Sequence, residues 1–180
     1  MSKKSQIIET ATRLFSEHGF ENTPVSLICE AAEVSKGAVF HHFKNKNDIL
    51  REVFIHITTI IEETDKNDVH LATQEDPLEA VIHEIFDGMS VAKYRKMYQF
   101  NFSVMVHPTT RAIVADLIED RYQQLQTSTE EIFRAVGYSN PAVITKMFIA
   151  EIDGIAMNYL LNNDFPLMDI KQEFIKKYCQ

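Results

Sequence analysis

Apolar side chains recur every three to four residues along almost the whole chain, which is the period of a helix and not of a strand. Ile7, Ala11, Leu14 and Phe15 make the inner face of a first helix, from about Ser2 to His18. Gly19 is placed to be its left-handed end residue, with Phe20 folding back on Phe15. Two short helices follow. Thr23 suits the N-cap of the first and Pro24 its first helical position, and Val25, Ile28, Cys29 and Ala32 form one buried stripe. Glu33-Val34-Ser35 makes the turn, and Ser35 caps the next helix. There Val39 and Phe43 point inward, Lys36, Gly37, His41 and His42 stay outside, and Ala38 and Phe40 lie at the border. Two short helices joined by a tight turn predict a helix-turn-helix, whose second helix is shaped to enter a DNA major groove.

The pattern continues through six more helices. A fourth, from near Asn45 to about Asn67, carries Ile49, Val53, Phe54, Ile57 and Ile60/Ile61. It is long enough to span ~30 Å and to join the helix-turn-helix to the rest. His70 to Asp76 reads as a polar linker. A fifth helix runs from Pro77 to Ala92 and a sixth from Tyr94 to His107, the latter rich in Met, Phe and Tyr. A seventh, Thr109 to Val136, is closed by Gly137. The eighth, Pro141 to about Asn163, is apolar on nearly every side and must be covered on every side, so its outer side asks for a partner chain. Gly154, beside Asp153, permits the close approach of a second helix. A ninth helix spans Asp169 to Cys179. All five prolines sit at expected helix boundaries.

Composition agrees with an all-α chain: 180 residues, 45% hydrophobic, with five Gly, five Pro and no Trp. Cys29 and Cys179 fit no metal or redox spacing, and the N-terminus has no apolar signal segment, so a reducing cytoplasm is the expected compartment. No apolar run is long enough to cross a membrane. The net charge of −8 is uneven. Residues 1–50 hold six Lys/Arg and six Asp/Glu, whereas residues 51–180 hold twelve and twenty. The acidic part therefore lies outside the motif, which would orient the protein on DNA. Zinc-protease spacing, di-iron spacing, a nucleophile elbow and a Gly-rich phosphate loop are all missing, so no enzyme, metal or cofactor is expected.

The stretch from Lys36-Gly37-Ala38-Val39-Phe40-His41-His42-Phe43 through Lys44-Asn45-Lys46-Asn47-Asp48-Ile49-Leu50, together with Gly19-Phe20, Thr23 and Val25, resembles the DNA-binding domain of the TetR family of bacterial transcription regulators. The resemblance covers residues 5–52 and divides the chain into a DNA-binding domain, 1–47, and a ligand-binding and dimerisation domain, 48–180. It implies DNA contacts from Thr23, Ser35, Lys36, Gly37, Ala38, Phe40, His41 and Lys46, with Lys46 on phosphate. This chain has Phe40 where the family often has Tyr, and Glu33 where it usually has Gly; a positive φ would strain a Glu there.

The last two helices resemble the family's dimerisation elements, so Phe148, Ile152, Gly154, Ile155, Tyr159 and Phe174 are the expected dimer residues. Phe86, Met89, Tyr98, Phe102, Met105 and Asn158 are candidates for a small, largely apolar ligand, since Met adapts to permissive pockets. The expectation is a homodimeric, ligand-responsive repressor on a near-palindromic operator, with no membrane partner. The alternative is a helical dimeric module that binds proteins or lipophiles without DNA.

Overall fold

The computed structural model describes residues 2–67 and 76–179. Among them the chain is helical throughout, with no strand: α1 (Lys3–His18), α2 (Val25–Ala31), α3 (Lys36–His42), α4 (Lys46–Asn67), α5 (Pro77–Ser90), α6 (Arg95–Val106), α7 (Pro108–Ile113), α8 (Ala115–Val136), α9 (Pro141–Leu161) and α10 (Leu167–Tyr178). A 3-10 turn over Ala92–Tyr94 leads into α6. Each proline lies at a helix start: Pro77, Pro108 and Pro141 in the first turn, Pro24 and Pro166 just before it. Except for Asp76, the expected polar linker lies outside the described residues.

The expected seventh helix is in fact two. It breaks at Val114, whose φ of −117° and ψ of 16° leave the helical region. Val114 is fully buried, and its carbonyl accepts the amide of Ile118 at 3.0 Å, so it also starts α8. The break frees the Ile113 carbonyl, and Arg51 from α4 donates to it at 2.8 Å. No Gly or Pro marks this break, because it is held by packing and by a side chain 62 residues away.

Packing divides the chain into two compact units, residues 1–60 with 93–118, and residues 61–92 with 119–180. In the first unit, α1 lies against α2, α3 and α6. Ile7, Ala11, Phe15, Ile28, Val39, Ile49, Leu50, Val53 and Ile57 are its buried interior. Phe15 sits 5.4 Å from Phe20 and 5.8 Å from Phe100, ring centre to ring centre. Gly19 has φ 81° and ψ 162°, a region essentially closed to any residue with a Cβ, and its amide donates to Phe15. The Gly19-Phe20 end of α1 thus forms as expected, though not in the left-handed helical conformation.

In the second unit α5 packs along α10 around an aromatic cluster. Phe148 lies 5.3 Å from Phe133, 5.3 Å from Phe174 and 5.0 Å from Tyr178, and Phe86 lies 5.5 Å from Phe174. Such ring pairs add about 0.5–1.5 kcal/mol beyond the area they bury. The Tyr138 hydroxyl donates to the Tyr178 carbonyl at 2.8 Å. Lys171, with only 3% of its surface exposed, is neutralised by Asp87 at 2.6 Å. Burial and the neighbouring Asp76 and Glu79 push the Cys179 thiol up to about 12, so it stays protonated and unreactive at neutral pH.

The charge divides far more sharply by packing than along the sequence. The first unit holds eleven Lys/Arg against eight Asp/Glu, a net +3, and the second seven against eighteen, a net −11. Lys93, Arg95, Lys96 and Arg111 make the difference, because their segment folds with the helix-turn-helix.

Candidate nucleic-acid interface

The turn between α2 and α3 has a defined construction. The amide of Val34 donates to the Cys29 carbonyl at 3.0 Å and that of Glu33 to the Glu30 carbonyl at 3.1 Å. These bonds close α2 as a Schellman-type end, whose pivot residue must take a positive φ. Glu33 is that residue, with φ 51°, and among the described residues no other non-glycine has a positive φ. The positive φ that the family's usual Gly implies at this point is therefore taken here by a residue with a Cβ.

Ser35 then caps α3, its hydroxyl accepting the Ala38 amide at 3.1 Å. Val39 and Phe43 are buried, which fixes the rotation of the helix. Lys36, Gly37, Phe40, His41 and Lys44 are exposed, and Ala38 is half-buried. The first four recur at i, i+1, i+4 and i+5, so they share one face. A Cβ added to Gly37 would meet nothing nearer than the Ser35 hydroxyl at 3.8 Å. The space above Gly37 is therefore open to an approaching backbone or base edge. Phe40 is 44% exposed, with the Lys36 ammonium 5.8 Å from its ring centre. The His41 and His42 rings meet edge to face at 5.0 Å.

Lys46 opens α4 half-buried, its ammonium 4.3 Å from the Phe20 ring and 3.3 Å from the Glu21 carbonyl. Burial lowers its pKa, and the Glu21 carboxylate opposes that shift. An ammonium with a single carbonyl acceptor retains two N–H groups for phosphate oxygens. One turn further on, Arg51 grips Asp116 with two bonds, 2.6 and 2.7 Å, besides the Ile113 carbonyl. The guanidinium holds the Asp116 carboxyl down at about 2. This clamp was not legible in the sequence, since its partners are 65 residues apart.

Thr23 is placed differently from expectation. Pro24, not Thr23, occupies the cap position of α2, and no side chain caps that end. Thr23 is 0% exposed and its hydroxyl donates to the Gly19 carbonyl at 2.8 Å. It ties down the end of α1, and its side chain has no surface to offer a phosphate.

The expected dimer residues need a similar correction. Phe148 and Phe174 belong to the aromatic cluster, and Ile152, Ile155 and Tyr159 pack against it. They face inward within their own unit. Of the six expected residues Gly154 alone lies on the outward apolar face of α9, which it shares with Val143, Met147, Ala150, Met157 and Leu161, spaced by alternating fours and threes. Val143, Met147, Met157 and Leu161 are large and exposed, and the face around Gly154 is open, since a Cβ there would touch nothing within 4 Å. Sequence reasoning saw an all-round apolar helix; the two apolar faces are separated by Lys146 and Asp153 on one side and Glu151 and Asn158 on the other.

The expected ligand residues are not brought together in one unit. Tyr98, Phe102 and Met105 form a half-buried stripe on α6 in the first unit. In the second, Phe86 is fully buried in the aromatic cluster, Met89 packs beside it, and Asn158 is exposed, donating to the Gly154 carbonyl at 2.7 Å. A depression of ≈ 300 Å³ on α10 and another of ≈ 460 Å³ on α8 contain none of the six. Among the described residues no group of three His, Cys, Asp or Glu is arranged to hold a metal, and no helix is long and apolar enough to cross a membrane.

Residues 7–53 match the family model described as "Bacterial regulatory proteins, tetR family". The chain is 34% identical over 94 residues to the HTH-type transcriptional repressor AcnR of Corynebacterium glutamicum, covering 50% of this chain and 47% of that protein. It is 27% identical over 136 residues to the HTH-type transcriptional regulator HbdR of Aromatoleum sp. strain CIB, covering 74% and 57%. The chain spans about half the length of the curated relatives it matches. Among solved structures it is similar in fold to SmeT in its triclosan complex, with a TM-score of 0.74 at 19% identity, covering 99% of this chain and 92% of that one. It is also similar to NalD, the secondary repressor of the MexAB-OprM multidrug efflux pump in Pseudomonas aeruginosa, with a TM-score of 0.70 at 20% identity, covering 98% and 94%.

Proposed function

Since this chain belongs, through residues 7–53, to the tetR family of bacterial regulatory proteins, we propose that it is a cytoplasmic, dimeric, ligand-responsive transcriptional repressor. The observation that carries the reading is the outer face of α3. Lys36, Gly37, Phe40 and His41 are all exposed there, on a helix whose other side is locked by Val39 and Phe43. A helix so mounted, capped at Ser35 and followed by Lys46, offers side chains to base edges and cations to the flanking phosphates. The net +3 of the unit that carries it supports association with a polyanion, and the −11 of the other unit disfavours docking the wrong way round.

The dimer forms through the outward stripe of α9. Small residues, Ala150 and Gly154, sit at its centre, where two copies of the helix approach closely, and larger apolar residues flank them. Two-fold symmetry then requires a near-palindromic operator. The ligand is small and largely apolar, a reading supported by the triclosan held by SmeT. Its release of DNA requires different affinities for the DNA-bound and free conformations, and operator DNA weakens ligand binding by the same factor.

The test is selection of duplex DNA from a random pool by the purified protein, followed by titration of the selected sequence against a scrambled one. A selected sequence with inverted symmetry, bound at least 10³-fold more tightly than the scramble, is expected. Equal, weak binding of both would favour the helical module without DNA binding.

A further inference from the structure

Phe40 is the one feature of the α3 face that ordinary phosphate or hydrogen-bond contacts leave unexplained. It is exposed on a helix of seven residues whose core side is already filled by Val39 and Phe43. Its neighbours on the outer face are Lys36 and His41, with Lys44 one turn beyond. A phenyl ring has no donor or acceptor, and the negative face of its π system is repelled by phosphate. The Lys36 ammonium sits 5.8 Å over that ring, near enough to favour a position where cation and ring travel together.

In the major groove every base edge presents hydrogen-bonding groups, and one alone presents an apolar group, the 5-methyl of thymine. We propose that Phe40 is a specificity-determining residue that reads thymine through this methyl group. Each half-site then carries a thymine beside the base step that Lys36 contacts. The Lys36 ammonium supplies the hydrogen bond, to a guanine edge for instance, and Phe40 supplies the apolar contact one helical turn further along. A Tyr at this position would offer a hydroxyl to phosphate; the Phe gives up that bond and leaves only the apolar contact. The inference rests on the DNA-binding reading and adds to it the chemistry of one base.

The experiment uses the full chain and the DNA it selects from a random pool. Each thymine of a half-site is replaced in turn by deoxyuridine, which keeps every hydrogen-bonding group and removes only the methyl. One thymine per half-site is expected to be sensitive, with affinity falling about fourfold for each methyl lost, the equivalent of one buried methyl group. Phe40→Ala should bind thymine and deoxyuridine operators equally, whereas Phe40→Leu should keep part of the preference. Because the side chain is exposed, both variants should keep the circular dichroism of the parent. The proposal is overturned if the parent ignores every thymine methyl, or if Phe40→Ala loses affinity but keeps the same thymine-to-deoxyuridine ratio, as a contact to deoxyribose would give. If no sequence is selected at all, the DNA-binding reading itself fails, and this one with it.

Discussion

Helices α3 and α9 each present an outward face built around a glycine, and they solve opposite problems. The α3 face is short, cationic and wet, with a single apolar ring among lysines and histidines. The α9 face is long and apolar, with Val143, Met147, Met157 and Leu161 in the open. In both, a Cβ at the glycine would find room: 3.8 Å to the nearest atom at Gly37 and nothing within 4 Å at Gly154. Neither glycine is needed for packing inside the chain, and neither has a positive φ. On the proposed function each glycine keeps a surface low for something outside, a polyanion over α3 and a second apolar helix over α9. Substitutions on the two faces should therefore fail in different measurements, one in salt dependence and the other in concentration dependence.

The largest expected effect is on α9. Met147→Glu or Met157→Glu should place an uncompensated charge in the dimer, at a cost of about 3–5 kcal/mol. Sedimentation should show monomers at concentrations where the parent is dimeric, with helix content unchanged because both residues are exposed. Ile152→Glu is the contrasting variant, since Ile152 packs against the unit's own core and should lose folding instead. If Met147→Glu and Met157→Glu stay dimeric, the stripe is not the interface.

That contrast marks what the sequence could tell. Helical period showed that α9 has apolar residues on many sides, but not which of them its own unit would cover. Phe148 meets Phe133 of α8 and Tyr178 of α10, and Ile152 and Tyr159 pack against the same cluster, contacts that no local pattern encodes. The break at Val114 and the Arg51–Asp116 clamp were hidden for the same reason. The basic segment around Lys93 to Lys96 also joins the helix-turn-helix unit only in three dimensions. Features written in local chemistry were legible: the Ser35 cap, the Gly19-Phe20 end of α1, and the buried Val39 and Phe43. The positive φ of Glu33 was suggested only by the family's usual Gly at that point. Thr23 was half legible. Its residue type announces a hydroxyl bonded to backbone, but only the fold decides between the start of α2 and the end of α1.

On α3 the effects are smaller and separable. Lys36→Ala should cost about 1–3 kcal/mol on the selected operator and relax the preference at one position. Lys46→Ala should weaken all sequences alike and reduce the salt slope of log K by about 0.9 per subunit, the signature of one phosphate contact. Titrations at several salt concentrations on operator and scrambled DNA distinguish the two. Matching losses on both DNAs for Lys36→Ala would assign it to phosphate as well.

Gly37→Ala sharpens the comparison further, because stability and function should move in opposite directions. Alanine fits the space and suits a helix better, so unfolding should become harder by about 0.5–1 kcal/mol. The added methyl stands on the face that DNA must approach, so operator affinity should fall while the dimer is unchanged. A variant that is both more stable and equally tight on DNA would show that nothing approaches α3 closely at this point.

The smallest effect concerns the turn that mounts α3. Glu33 holds φ 51°, where a residue with a Cβ pays about 1–2 kcal/mol, while glycine pays its own entropic cost of about 0.5–1. Glu33→Gly should therefore raise stability by the difference, about 0.5–1 kcal/mol. Glu33→Ala removes the same carboxylate but keeps the strain, so it should give no such gain. The pair of variants separates two roles of this position. If both variants bind scrambled DNA more tightly at low salt, the carboxylate repels phosphate and restrains non-specific binding. If only the glycine variant changes, and only in thermal unfolding, Glu33 matters through its backbone alone. Equal stability of all three proteins would mean that the left-handed turn costs this chain nothing, and that the Schellman-type bonds of Glu33 and Val34 offset the strain in full.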